Sequence, residues 1–313
     1  MRFLVIGTSS IGRRHTKNLT TLGHDVEVAD IVEDNFEEAV EEGATKTHLI
    51  PDDRMTIPDE NYDAVLICTP AKTHYELAMT AIRNENNIFV EKPLCFTKAQ
   101  GYEITNEATI NDVKLMCGCN LRFENGIQLI KNLLSSDTIG DILAVDAHYG
   151  HYLPLDDKDY EEKIKTDQKG WDVDLRASIH EIDLLISIFG KPIYWDSKLH
   201  TFMDFGVYDR AITTMNFKND IIATVESNYL EFGYNRTIKF LGKKGTIIWD
   251  FNEHTVRLRT EEIDAWRVFK TDPDINSMYM TEMEYFTGYI EGKYLPLSYM
   301  NGTNALTVIQ DRD

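Results

Sequence analysis

A short loop framed by two glycines, at residues 7–12, limits the possible folds of this sequence more than any other feature. It reads Gly-Thr-Ser-Ser-Ile-Gly and lies between an apolar, strand-like run and a helix-like stretch. Such a strand, turn and helix direct backbone N–H groups and the positive end of the helix dipole toward a phosphate. Gly7 permits the turn and Gly12 lets helix and strand pack closely, whereas Ser9 replaces the second glycine of the usual pattern. We therefore predict a dinucleotide-binding loop whose pyrophosphate contacts Gly7, Ser9, Ser10, Ile11 and Gly12.

A carboxylate ends the second predicted strand. Asp30 lies 23 residues beyond Gly7, close to the offset of about 20 residues expected for an acid that binds the adenosine ribose. Its charge would repel a 2′-phosphate, which favours NAD over NADP, although Arg13 and Arg14 could offset that repulsion. The alternative is that Asp30 only starts a turn or caps the next helix.

Strand-like runs alternate with helical stretches as far as about residue 120, as in a parallel sheet covered on both faces. Strands are predicted at 2–6, 25–29, 64–67, 88–90 and 114–119, and helices at 12–22, 35–42, 73–83 and 98–110. Later strand-like runs follow closely, at 142–149, 194–201, 210–217, 221–229, 237–241, 246–250 and 256–259. This succession indicates a largely antiparallel sheet. We predict an α/β fold: a Rossmann doubly wound parallel sheet at residues 1–120, which binds NAD(P), and a C-terminal α+β domain with a large, mostly antiparallel open sheet at 121–313.

Composition excludes several classes of protein. The length of 313 residues suits about two domains. The formal charge of −20 argues against nucleic-acid partners and anionic membrane surfaces. No run reaches the roughly 18 apolar residues of a membrane span, and no leader-like segment precedes the first strand, so we expect a cytoplasmic protein. The four cysteines, Cys68, Cys95, Cys117 and Cys119, lack metal-site spacing, so we predict reduced thiols and no metal.

Two polar segments follow neighbouring predicted strands. They are residues 68–74, Cys-Thr-Pro-Ala-Lys-Thr-His, and residues 89–94, Phe-Val-Glu-Lys-Pro-Leu. Open α/β sheets bind ligands at the carboxyl ends of their strands. Lys92, between Glu91 and Pro93, is a usable proton donor there if burial or its neighbour adjusts its charge. Taken alone, the segment favours a surface lysine in a loop.

Together the motifs resemble the glucose-fructose oxidoreductase and inositol dehydrogenase (Gfo/Idh/MocA) family. The resemblance lies in the glycine loop with Arg13-Arg14-His15, Thr69-Pro70 with His74, Glu91-Lys92-Pro93, Asn120-Leu121-Arg122-Phe123 and Ile139-Gly140. It implies a Rossmann domain, a mixed-sheet domain for substrate binding and oligomerisation, and reversible NAD(P)-linked oxidation of a sugar, cyclitol or similar alcohol. It places Lys92 near the nicotinamide and the substrate hydroxyl as a catalytic residue. The nicotinamide half of the site is then shaped by Thr69, Pro70, His74, Glu91 and Lys92.

A helical stretch in the second domain carries His180, which the resemblance makes the second catalytic residue. At helical spacing one face holds Arg176, His180, Asp183 and Ser187, and the buried stripe holds Ile179, Ile182, Ile186 and Phe189. We expect the polar face to be free to meet a ligand. The family carries an Asp four residues before its histidine, where this chain has Arg176. Either Asp172, Asp174 or Asp183 orients the imidazole, or catalysis is altered or lost.

Several polar side chains are candidates for substrate binding. The Arg176 guanidinium suits a carboxylate or phosphate through paired hydrogen bonds, and the alternative is a salt bridge to Asp172 or Asp174. Tyr152 belongs to a segment, 150–154, that is similar to one in family members of nonulosonic acid and other surface-sugar pathways, although an aromatic residue there is as often simply packed. The candidates are Asn120, Arg122, Tyr152, Arg176 and Asp183.

The sequence thus predicts an NAD(P)-dependent oxidoreductase acting on a CH–OH group of a sugar, sugar acid, nucleotide sugar or cyclitol, with NAD favoured. Lys92 and His180 would relay the hydroxyl proton. One alternative is a non-catalytic regulatory protein of the same fold, which Arg176 supports. Another is an enzyme that retains its cofactor through the cycle. We expect a homo-oligomer, a dimer or tetramer, with no nucleic-acid or membrane partner.

Overall fold

The computed structural model describes residues 1–51, 57–58, 61–262 and 264–311. Its helices are α1 (Ser10–Thr21), α2 (Phe36–Glu41), α3 (His74–Arg83), α4 (Lys98–Ile110), α5 (Asn125–Ser135), α6 (Leu153–Asp156), α7 (Tyr160–Thr166), α8 (Ile179–Phe189), α9 (Asn276–Ile290) and α10 (Thr303–Gln310). The chain divides into two compact units. The first contains residues 1–119 and 278–306, and the second contains residues 120–277 and those from 307 onward.

The first unit is built on a six-stranded parallel sheet. Its strands are β1 (Arg2–Ile6), β2 (Asp25–Asp30), β3 (Lys46–Leu49), β4 (Ala64–Ile67), β5 (Asn87–Glu91) and β6 (Leu115–Gly118). Their order, β3-β2-β1-β4-β5-β6, is the Rossmann order with its reversal beside β1. Strands β1 and β4 are almost wholly buried because their apolar side chains meet covering layers on both faces. The predicted doubly wound fold is confirmed.

The first unit also includes a C-terminal segment that the predicted boundary at residue 120 assigned to the second domain. Within it, α9 contributes Met283 and Phe286, both with no exposed surface. The Phe286 ring lies 5.4 Å from that of Phe89 on β5. Burial of these side chains explains why the segment packs with the first unit rather than with its sequence neighbours.

The second unit contains an eight-stranded sheet, largely antiparallel as predicted. Its strands are β7 (Ile142–Tyr152), β8 (Tyr194–His200), β9 (Arg210–Asn216), β10 (Ile222–Asn228), β11 (Leu230–Gly242), β12 (Gly245–Asp250), β13 (Thr255–Thr260) and β14 (Arg267–Lys270). They are ordered β14-β13-β12-β11-β7-β10-β9-β8, and β7 and β10 run parallel. Alternate side chains of β9 are buried, which leaves the other face more open. Among the described residues, no helix has the length and apolar character needed to cross a bilayer.

A π-helical turn, Asp174–Ser178, precedes α8. This turn corrects the predicted face of Arg176, His180, Asp183 and Ser187, because a π-turn is wider than an α-turn and rotates Arg176 away from α-helical register. The expectation of a free polar face is also wrong at Asp183, which is 2% exposed. In the predicted apolar stripe, Ile179, Ile182 and Ile186 are buried and Phe189 is partly buried.

Candidate active site

The glycine loop has the geometry that a phosphate-binding turn requires. Gly7 has a φ of +90°, and its N–H donates to the carbonyl of Ala29 at 2.8 Å. A Cβ on Gly12 would lie 1.8 Å from the Gly7 carbonyl oxygen, so the first turn of α1 can approach the loop only with glycine there. Ser9 and Ser10 are exposed where α1 begins, beside its unpaired N–H groups. This cradle fits a dinucleotide pyrophosphate.

Asp30 is buried at the end of β2 and is held by several donors. Its Oδ2 accepts from the N–H and the hydroxyl of Thr8, both at 2.7 Å, and its Oδ1 accepts from the Val32 N–H at 2.9 Å. Burial opposes ionisation, but these hydrogen bonds and one from Asn35 outweigh it, so the pKa of Asp30 lies below its ordinary value. The carboxylate therefore carries its charge while also fixing the local turn, and its contact with the adenosine ribose remains a prediction.

The two arginines that could offset this charge have other contacts. Arg13 forms an ion pair with Glu38. The guanidinium of Arg14 lies 4.5 Å from the centre of the Tyr279 ring. Each arginine therefore already has a partner, an anion for Arg13 and an aromatic ring for Arg14.

The loops after β4 and β5 meet through His74. Its Nδ1 lies 2.8 Å from the Pro93 carbonyl oxygen, and its Nε2 lies 2.8 Å from the Thr69 carbonyl oxygen. His74 is 1% exposed. The predicted residues Thr69 and Pro70 are thereby tied to the segment of Lys92, which is half-buried directly after β5.

Glu91 ends β5 and is almost buried. One carboxylate oxygen lies 2.8 Å from His15 Nε2, and the other accepts from the Lys92 N–H at 3.1 Å. Glu282 lies close by: its carboxylate, that of Glu91 and a His15 ring nitrogen have atoms within 4.8 Å of one another. Burial, together with the charges of Glu91 and Glu282, raises the pKa of the nearby Cys68 thiol. Three such groups could also ligate a metal ion, although the sequence predicted none.

In the second unit, Arg122 and Asp183 bind each other. Arg122 Nε and Nη2 donate to the two carboxylate oxygens of Asp183 at 2.6 and 2.7 Å. Their side chains are each 3% exposed. The paired geometry makes them a buried link between the Asn120–Phe123 turn and α8. Their contact with substrate remains a prediction. Asn120, in the same turn, is also buried.

His180 lies half-buried in the first turn of α8, directly after the π-turn. The Arg176 guanidinium carbon lies 3.7 Å from the centre of the Trp171 ring, a cation–π contact. The candidates for orienting His180 have other contacts: Asp172 Oδ1 accepts from the Tyr208 N–H, Asp174 Oδ1 from the Leu175 N–H, and Asp183 from Arg122. π-Turns often mark functional sites.

Tyr152 belongs to an aromatic cluster on the second unit. Its ring stacks on Phe232 with centroids 4.1 Å apart and meets Phe205 edge-on at 6.3 Å. Tyr160 also contacts Phe205 edge-on. Tyr152 is therefore packed against two aromatic rings, and its contact with substrate remains a prediction.

Comparison with known proteins assigns the family. A model of the oxidoreductase family with an NAD-binding Rossmann fold, GFO_IDH_MocA, matches residues 1–119, and the GFO/IDH/MocA C-terminal domain matches residues 111–248. The chain belongs to the Gfo/Idh/MocA family. Membership makes it an oxidoreductase with an NAD-binding Rossmann domain, as the resemblance implied.

Individual relatives of the Gfo/Idh/MocA family agree with this assignment. The chain is 28% identical over 274 residues to a myo-inositol 2-dehydrogenase of Thermotoga maritima, covering 84% of this chain and 79% of that protein. It is 25% identical over 279 residues to a scyllo-inositol 2-dehydrogenase (NADP(+)) of Bacillus subtilis, covering 80% and 76%. The structure of levoglucosan dehydrogenase with NADH and levoglucosan matches with a TM-score of 0.87 at 18% identity, over 98% of this chain and 95% of that chain. This last likeness concerns the fold.

Four residues beside the predicted sites were not singled out from the sequence. Thr8 holds Asp30, His15 holds Glu91, Glu282 lies near both His15 and Glu91, and Trp171 supports Arg176. His15 and Thr8 stand inside the family motif, so their position was a usable signal. Glu282 and Trp171 carry no local pattern, because their contacts depend on how distant segments pack.

Proposed function

We propose that this protein is an NAD-dependent dehydrogenase that interconverts a secondary alcohol and a ketone on a cyclitol or sugar. The observation that carries the proposal is Lys92, held at the carboxyl end of β5 by contacts of its own N–H with Glu91 and of Pro93 with His74. Ligands of doubly wound sheets bind at this edge. The similarity to an inositol 2-dehydrogenase supports the substrate class.

The chain's residues divide the chemistry between binding and proton transfer. Bound NAD supplies the hydride acceptor, and NADH the donor. The glycine loop and the first turn of α1 bind the pyrophosphate, and Asp30 binds the adenosine ribose. Lys92 exchanges a proton with the substrate hydroxyl, and His180 is the second proton-transfer group. Arg176, held over Trp171, offers a planar donor set to an anionic substituent.

The test begins with titration calorimetry of NAD, NADH, NADP and NADPH. Turnover is then followed by NADH fluorescence on myo-inositol, scyllo-inositol, sugars, sugar acids and nucleotide sugars. The nucleotide sugars test the narrower expectation of surface-sugar metabolism. NAD(H) binding with turnover of a member of this panel is the expected result, and failure to bind any dinucleotide would overturn the proposal.

The proton-transfer role has its own test. Lys92→Ala should lower kcat by on the order of 10²- to 10⁴-fold, because general acid–base catalysis contributes about that much. Its dissociation constant for NAD should change little. Lys293→Ala is the matched control, since Lys293 is an exposed lysine of the same unit. Wild-type turnover in Lys92→Ala would exclude Lys92 as the relay.

Arg176 supports a second candidate function. In that case the protein would be a dinucleotide- or sugar-binding regulator without turnover. It stands where the resemblance places an Asp, and its guanidinium contacts Trp171. Tight NAD binding without turnover on the whole panel, unchanged by Lys92→Ala, would favour this candidate. NAD that stays bound through purification would favour the cofactor-retaining enzyme.

We also propose a homo-oligomer formed through the more open face of the second sheet. Leu143, Tyr194 and Ile222 on its strands are each roughly half exposed, an apolar surface that a second copy could cover. Light scattering after size exclusion tests this: a dimer or tetramer is expected, and a monomer at micromolar concentration contradicts it.

A further inference from the structure

His15 is a fully buried histidine on the helix that follows the glycine loop. It has no exposed surface and lies in α1, three residues beyond Gly12. Its ring packs edge-on against Phe89 at 5.1 Å and against Tyr279 at 6.1 Å between centroids. The imidazole is therefore held in one orientation by aromatic rings from β5 and α9.

Glu91 connects this ring to Lys92. Its Oε1 lies 2.8 Å from His15 Nε2, and its Oε2 accepts from the Lys92 N–H at 3.1 Å. A carboxylate only accepts hydrogen bonds, so Nε2 is the nitrogen that carries the hydrogen. The two oxygens of one side chain thus join the backbone of Lys92 to α1.

The pocket around Glu91 leaves this carboxylate little freedom. A Cβ on Gly118 would lie 3.0 Å from Glu91 Oε1 and 2.8 Å from the Phe89 ring. Glu282, with no exposed surface, brings a second carboxylate close to His15 and Glu91. Within this confined pocket, the contact with His15 Nε2 is what directs Glu91 Oε1 toward α1.

We propose that His15 is a positioning residue that sets the place of Lys92 through Glu91. The inference rests on the proposed role of Lys92 in proton transfer. Displacement of a reacting group by about 1 Å can cost on the order of 100-fold in rate. Loss of the His15 contact should therefore lower kcat while leaving the glycine loop able to bind NAD.

Two polar variants of His15 distinguish an effect on the position of Lys92 from an effect on protein stability. His15→Gln places an amide N–H about where Nε2 lies, whereas His15→Asn is too short to reach Glu91. Kinetics on the panel substrate that turns over should show kcat lowered about 10- to 100-fold in His15→Asn and within a few-fold of wild type in His15→Gln. The dissociation constant for NAD should stay within about three-fold in both, because neither contacts the loop.

The matched control is a second histidine–glutamate pair of the same sheet. His48 Nε2 lies 2.6 Å from Glu27 Oε2, among residues remote from Lys92 in the sheet order. His48→Asn should lower the melting temperature but leave kcat unchanged. Equal kcat in His15→Asn and wild type would overturn the proposal.

A readout without substrate keeps the inference separate from the proposed function. Hydrogen exchange of the Lys92 amide should be slow in the wild type and in His15→Gln, and faster in His15→Asn. Rapid exchange in the wild type overturns the proposal even if no variant folds. Wild-type turnover in Lys92→Ala would contradict only the proton-relay role of Lys92. A stoichiometric metal ion that is present in the purified wild type and lost in His15→Asn would make His15 a ligand and overturn the positioning role.

Discussion

His74 contacts two backbone carbonyl groups, one through each ring nitrogen. Both distances are 2.8 Å, to the oxygens of Pro93 and Thr69. The buried side chain thus bridges the loops that follow β4 and β5.

This geometry makes His74 a stabilising link between the two loops. His74→Gln should lose one of the two bonds and lower the free energy of unfolding by about 1–3 kcal/mol. Urea denaturation measures this, with His200→Gln at an exposed position as the control. An equal effect in both variants would contradict the bridge.

Asp30 controls the choice of cofactor in the proposed function. Asp30→Asn removes the charge that repels a 2′-phosphate, and it also weakens the acceptor for Thr8. We expect weaker NAD binding and a ratio of NADP to NAD affinity that rises about ten-fold, the size of a charged hydrogen bond. Titration calorimetry measures both. Asp25→Asn, at the exposed start of the same strand, is the control, and an unchanged ratio would remove Asp30 from cofactor selection.

Helix α5 carries a lysine with an unusual pKa. Burial, then the charge of Arg122, lowers the pKa of Lys131 from 10.5 to about 8, while Asp183 opposes the change. Between those two pH values the unfolded chain binds more protons than the folded protein at this group. The free energy of unfolding contributed by Lys131 therefore rises with pH from about 8 to 10.5, and the cost of burying its charge is complete below pH 8.

Lys131→Met should remove that cost. We expect the free energy of unfolding to rise by on the order of 1–2 kcal/mol at pH 7, after subtraction of the lost hydrogen bond to the Arg122 carbonyl. The gain should shrink as the pH rises to 10. Urea denaturation across this range measures it, with the exposed Lys191→Met as control. A difference from wild type that is constant with pH would contradict the assignment.

How well the sequence predicted each strand depended on how deeply that strand is buried. Strands β1 and β4 were predicted to the residue, because fully apolar runs between polar turns have no other stable place than the centre of a parallel sheet. The edge strands β3 and β14 were missed, since Lys46–Leu49 and Arg267–Lys270 are largely exposed and lack strong alternation. The π-turn before α8 left no sequence signal, so Arg176 was placed in α-helical register with His180. Asp183 was expected on a free face because its partner Arg122 lies far away in sequence.

The residues of the candidate site also differ in how far the sequence could predict them. Spacing placed Gly7, Gly12 and Asp30 at a strand end or helix start, and the family resemblance singled out Lys92; their roles remain predictions. The partners of Arg122 and Glu91 could not be located in this way, because Asp183 lies 61 residues from Arg122 and His15 lies 76 residues from Glu91. Such pairs form only through tertiary packing.

At the scale of the whole molecule, the first unit depends on residues from the far end of the chain. Phe286 has no exposed surface and packs on Phe89. Phe286→Ala should lower the free energy of unfolding by about 3–5 kcal/mol through lost burial and a residual cavity. Leu295→Ala, at an 85% exposed position of the same segment, should change it by less than about 0.5 kcal/mol. Chemical denaturation measures both, and similar values would contradict the packing role.

The return of residues 278–306 to the first unit also has a consequence for biosynthesis. After residue 119 leaves the ribosome, about 160 more residues must be translated before α9 can join β5. At roughly 5–20 residues per second this takes on the order of 8–30 s. Most of the second unit is contiguous in sequence and emerges in that interval. The first unit is thus begun first but completed only after residues 120–277 of the second unit have been made, and until then Phe89 lacks its packing partner Phe286.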